Sequence, residues 1–144
     1  MKRSVALTPL SHDHHKGLFV AQRLRRAESA SGPETAGEFR KFWEEHGAPH
    51  FRVEEEVLLP MWRMLGRVEP EHVARVAQEH LEIRALAFAV GSEAAELSDL
   101  KHLGELLSAH IRYEERELFP LIEADLDAAA QERIGAAIRK AESA

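Results

Sequence analysis

The chain of 144 residues has no cysteine. That excludes disulfides, thiolate metal ligands and cysteine-held iron–sulfur clusters. Long apolar runs are also missing. Stretches such as Leu86 to Gly91 are far too short to cross a bilayer. Met1-Lys2-Arg3 is followed by Pro9, His12 and Asp13 rather than by the apolar run of a signal peptide, so a cytoplasmic location is expected. Positive charge is in deficit: nineteen Lys and Arg against twenty-five Asp and Glu leave -6, which argues against a nucleic-acid or anionic-membrane partner. Alternating strand patterns are almost absent, and apolar residues recur every three or four positions. What the chain does have, in excess, is nine histidines.

The helical period defines four long segments. The first runs from about residue 10 to 30, with Leu10, His14, Leu18 and Ala21 on one stripe. The second runs from Glu34 to Leu65, is kinked or split at Gly47-Ala48-Pro49, and closes at Gly66 as a C-cap. The third begins beyond Pro70 and ends at Gly91. The fourth, with Ser92 as its N-cap, continues to about Pro120, and a shorter helix covers 128–140, packed outside the others or across one end. Short connections predict an all-α protein, an antiparallel up-down-up-down four-helix bundle with a short additional C-terminal helix.

Helices two and four carry one segment twice. His50-Phe51-Arg52-Val53-Glu54-Glu55-Glu56-Val57-Leu58-Leu59-Pro60 aligns with His110-Ile111-Arg112-Tyr113-Glu114-Glu115-Arg116-Glu117-Leu118-Phe119-Pro120, with six of eleven positions identical. The partner helices each carry an acid–His pair, Asp13-His14 and Glu79-His80. Residues four apart on a helix lie one above the other, so His50 with Glu54, and His110 with Glu114, can each aim an imidazole and a carboxylate at one point. His14 and His80 sit on the apolar stripes of their own helices, the latter flanked by Val73, Ala77 and Ile83. Buried carboxylates without counter-charge are costly, and cations remove that cost. Nitrogen and oxygen donors without sulfur suit iron or manganese, and zinc could substitute. The metal-site residues are therefore His14, His50, Glu54, His80, His110 and Glu114.

Other polar residues have plainer readings. His12, His15 and His46 are spare ligand candidates, although His12 and His15 cannot both face inward beside His14. His72 and His102 lie eight residues before His80 and His110, about 12 Å of helix rise, and read as surface residues. Glu55 or Glu115 could replace its neighbour as ligand if the helix were distorted, with Arg52 and Arg112 offsetting the charge. Tyr113 could reach the edge of the site. Phe19, Phe39, Phe42, Trp43, Phe51, Phe88 and Phe119 read as core.

These motifs resemble the hemerythrin-like, or HHE cation-binding, domains along nearly the whole chain, so that 1–144 reads as one such domain. The resemblance implies a di-iron centre, oxo- or carboxylate-bridged, held by the six residues above with the two glutamates as bridges. One departure matters. The oxygen carriers of that family have two histidines four apart on the third helix, whereas here Arg84 follows His80 and Val76 precedes it at that spacing. One iron would then have one imidazole fewer, leaving room for water or for His46 or His12. The expected function is non-enzymatic binding of oxygen or a related small molecule, as carrier, sensor or iron handler. The alternatives are a redox enzyme acting on peroxide or nitric oxide, and a metal-stabilised interaction module. A sensor would signal through a separate protein or a homodimer interface.

Overall fold

A computed structural model describes residues 2–91 and 95–143. Five helices are present among them: α1 Thr8–Arg25, α2 over 32–65, α3 Pro70–Val90, α4 over 97–125 and α5 Ala128–Glu142. The first four form an antiparallel bundle in which α1 packs along α4 and α3 along α4, while α5 lies against α2. Among the described residues there is no strand and no helix long and apolar enough to cross a membrane.

Neither α2 nor α4 is a simple α-helix. The turn widens to π geometry at Trp43–Gly47, Glu54–Leu58 and Glu114–Leu118. Each wide turn ends two residues before a proline: Pro49, Pro60 and Pro120. Proline has no N–H, and its ring crowds the carbonyl four residues back. Widening the turn lets the helix pass through, with Ala48, Leu59 and Phe119 donating back to Trp43, Glu54 and Glu114. Hence α4 does not stop at Pro120 but runs on to Asp125, and the expected break at 47–49 is a wide turn in a continuous helix.

Other ends also differ from expectation. Helix α1 stops at Arg25, where the N–H groups of Arg26 and Ala27 fold back onto Gln22 and Leu24. Ser92 lies outside the described residues. Helix α4 begins at Leu97, capped by a reciprocal pair in which Glu96 and Asp99 each accept from the other's backbone N–H. Gly66 does end α2, but with extended backbone (φ -139) rather than left-handed. Its lack of a side chain serves another purpose: a Cβ there would press on Asp125, whose carboxylate accepts from Trp62 Nε1 and from the Arg67 N–H, each at 2.7 Å.

Two apolar clusters fill the bundle. One gathers Leu10, Leu58, Trp62, Leu118, Phe119 and Ile122, and is covered by Ile134 and Ile138 of α5. The other gathers Leu24, Phe39, Phe42, Ile83, Leu103 and Ile111. The duplicated His/Glu segments lie between them. Phe19 and Phe88, expected in the core, are 64% and 85% exposed. On α3, Val76 rather than Ala77 is buried one turn before His80.

Helices α1 and α4 meet at Gly104, where a Cβ would stand 2.8 Å from the Ala21 carbonyl oxygen and 2.9 Å from the Arg25 nitrogen. Those are backbone atoms and cannot swing aside. Gly104→Val is expected to lower stability by about 1–3 kcal/mol, the usual cost of overpacking. Urea melts of both proteins check this, and an unchanged midpoint would place the helices further apart than described.

Candidate metal centre

Glu54 and Glu114 are fully buried at the start of the second and third wide turns, and His14, His50, His80 and His110 are buried around them. The donor atoms fall into two overlapping groups. One contains His14, His50, Glu54 and Glu114; the other contains His80, His110, Glu54 and Glu114. In each group all donor atoms lie within 4.8 Å of one another.

Both glutamates belong to both groups because each splits its oxygens between them. Glu54 directs Oε2 to His50 Nε2 at 3.1 Å and Oε1 to His80 Nε2 at 3.0 Å. Glu114 directs Oε1 to His14 Nε2 at 2.8 Å and Oε2 to His110 Nε2 at 3.3 Å. The Nε2 atoms of His50 and His110 and the Oε2 atoms of Glu54 and Glu114 are buried without a hydrogen-bond partner. Buried polar atoms are normally satisfied, so four convergent exceptions fit a set of donors meant for cations.

Every histidine is also held from behind. Asp13 accepts from His50 Nδ1 at 3.0 Å, Glu55 from His80 Nδ1 at 2.5 Å, Glu79 from His110 Nδ1 at 2.7 Å and Glu115 from His14 Nδ1 at 2.6 Å. An acid on α1 thus orients the histidine of α2, α2 that of α3, α3 that of α4, and α4 that of α1. The ring is closed. A carboxylate on Nδ1 fixes the proton there and leaves the Nε2 lone pair free for a metal. Three of these acids are in turn gripped by arginine: Glu55 by Arg84, Glu79 by Arg75 and Glu115 by Arg3. Flat rings restrict the imidazoles further. Phe51 stacks on His80 at 3.7 Å between centroids, and Phe119 on His14 at 5.2 Å.

Electrostatics of the cation-free site follow from this density of acid. Burial pulls the His110 pKa down, but Glu114 and Glu79 outweigh it and raise it to about 10. His50 and His14 are likewise pushed up against burial, by Glu54, Asp13 and Glu114 and by Glu114 and Glu115 respectively. Burial raises the Glu114 carboxyl, yet His110, His14 and His50 hold it well below the usual range. Protons on His14, His50 and His110 are thus favoured by the buried acids around them.

The remaining sequence expectations divide. Glu55 and Glu115 do not replace their neighbours; the wide turns send them to the back of histidines on adjacent helices. Arg52 and Arg112 are exposed and bear none of the compensation found for Arg3, Arg75 and Arg84. His12, His15 and His102 are exposed, and His46, closest to Glu45 at 3.9 Å, stands outside both donor groups. His72 is paired with the Tyr113 hydroxyl at 3.0 Å rather than free on the surface. The acid ring was the part not foreseen, although Asp13-His14, Glu79-His80 and the doubled Glu-Glu were its visible signs. Arg84, in the place of a further histidine, reaches Glu55 instead, so both donor groups hold two imidazoles.

Residues 7–122 match the hemerythrin HHE cation-binding domain. The chain belongs to that family. No curated protein and no solved structure matches this hemerythrin-like chain at a comparable level. Membership and the buried His/Glu cluster agree on metal-cation binding.

Proposed function

We propose that this hemerythrin-like protein holds a pair of iron ions, carboxylate-bridged by Glu54 and Glu114, and binds oxygen or a related small molecule there. The observation that carries the pair is the split of each glutamate's two oxygens between two histidine pairs. His14 and His50 would hold one ion, His80 and His110 the other. Zinc or manganese could occupy the same donors. Iron would supply an open coordination position for a diatomic or peroxide ligand.

The chain's own contribution is shape and exclusion of water. A cavity of about 20 Å³ reaches His14, His50 and His110 and is walled by Phe42, Trp43, Phe51, Leu107 and Ile111. The space is narrow, which suits a ligand of few atoms on this side of the centre. Anaerobic reduction of the iron-loaded protein followed by air should give a visible band that disappears on deoxygenation and returns. Irreversible bleaching, or steady consumption of peroxide or nitric oxide, would replace the binding reading with the redox-enzyme one.

The acid ring makes a further prediction about the two halves. Glu55→Gln leaves His80 without its charged partner while Asp13 still orients His50. Loss of such an outer carboxylate typically weakens metal binding about 10- to 100-fold. A chelator-competition titration should show one ion weakened and the other nearly unchanged. Equal weakening of both would mean that the halves are not separately supported.

A further inference from the structure

Helix α3 buries Val76, Ile83, Ala87 and Val90 on one side, and its other side is apolar as well. Ala74, Ala77, Leu81, Ala85 and Phe88 are all exposed, Leu81 to 69% and Phe88 to 85%. At 3.6 residues per turn these five fall within an arc of about 80°. They form one uncharged stripe facing solvent. The other strongly exposed large apolar residues among those described, Val5, Phe19 and Met64, stand one to an element. The spacing matches that of the seam along which two helices pair.

The stripe has a knob at one end and a hollow at the other. Phe88 projects near the C-terminus of α3. Near the N-terminus, an open cleft of about 590 Å³ is lined by Leu59, Pro60 and Val68 together with Val73, Ala74 and Ala77 of α3. Leu81 lies seven residues from both Ala74 and Phe88. Turning a second copy about a two-fold axis through Leu81 therefore sets Leu81 on Leu81, Ala77 on Ala85, and each Phe88 against the Ala74 end of the other chain, at the cleft. Leucine meets leucine at the axis, alanine meets alanine on either side of it, and the large Phe88 meets the small Ala74 at each end, so the face is complementary to itself, as a two-fold interface requires. A helix of this length spans about 30 Å. The stripe from Ala74 to Phe88 covers about 21 Å of that length, and a specific dimer buries on the order of 1,000 Å² in all.

We infer that the chain forms an antiparallel homodimer through α3, centred on Leu81, with Phe88 of each copy seated in the cleft of the other. Glu55, which holds His80, lines the same cleft, so the pairing covers an edge of the metal centre. The inference does not depend on which metal is bound.

Sedimentation of the full chain at micromolar concentration tests it. Twice the 16.2 kDa chain mass is expected. Leu81→Glu should weaken pairing by about 100-fold or more, because it buries two like charges at the axis. Helical circular dichroism and metal content should stay unchanged, and Phe19→Glu should leave the dimer intact. The absence of native cysteine permits a second readout. Leu81→Cys should oxidise to a disulfide-linked dimer with its twin, as should a mixture of Ala74→Cys and Phe88→Cys chains, whereas Phe88→Cys alone should not. A monomeric wild type, or a dimer indifferent to Leu81→Glu, overturns the interface. Efficient self-linking of Phe88→Cys overturns the antiparallel arrangement.

Discussion

Glu114→Ala is expected to empty both halves of the metal centre, whereas His14→Ala should empty only one. Glu114 offers Oε1 to the His14 side and Oε2 to His110, so its loss removes a donor from each group at once. It also removes a buried negative charge that would offset the charge of the bound cations. Loss of a first ligand should exceed the 10- to 100-fold typical of outer partners, so binding at both positions should fall by more than about 100-fold. His14 belongs to one group only, and the pair His80 and His110 with both glutamates remains complete without it. His102→Ala serves as the control, since that side chain is exposed on α4 and outside both groups. Equal losses from Glu114→Ala and His14→Ala would show that the glutamate does not bridge.

The second large effect is thermal, and its size depends on pH. A ligand present at about a thousand times its dissociation constant stabilises the native state by roughly 4 kcal/mol. For a domain of this size that amounts to a rise in Tm on the order of 10 °C. The pH dependence follows from the cation-free site. His110, raised to about 10, contributes stability that is fully present below the unfolded histidine pKa and is lost as pH rises through the folded value; His50 and His14 act in the same direction. Glu114, depressed, contributes stability present above the unfolded glutamate pKa and lost as pH falls through its folded one. Metal ions must displace the histidine protons, so binding releases protons and tightens with pH. The gap between loaded and chelated Tm should widen from pH 6 to pH 9. A gap that narrows over that range would contradict the assignment of these histidines as ligands.

Much of the centre was readable in the sequence because its donors obey local geometry. His50 with Glu54, and His110 with Glu114, follow from a spacing of four, and duplication distinguishes the pattern from chance. The acid ring was not readable, because each of its bonds joins two helices and depends on how they are rotated against each other. The wide turns carry Glu55 and Glu115 into the ring, while Asp13 and Glu79 reach it from regular helices. Pro60 lies inside the second helix as read from the sequence, whereas Pro120 reads as the end of the fourth; the backbone bonds of Leu59 and Phe119 show that both helices continue through a wide turn. Phe19 and Phe88 were misplaced for another reason: an aromatic residue suggests burial by its type, while the helical face on which it stands decides. On α3 both faces are apolar, so periodicity alone could not separate the inner from the outer.

The paired site is tested most directly by elemental analysis of the protein prepared with ample iron, with protein concentration measured independently. Two irons per chain are expected. One or none would contradict a centre in which Glu54 and Glu114 each serve two ions.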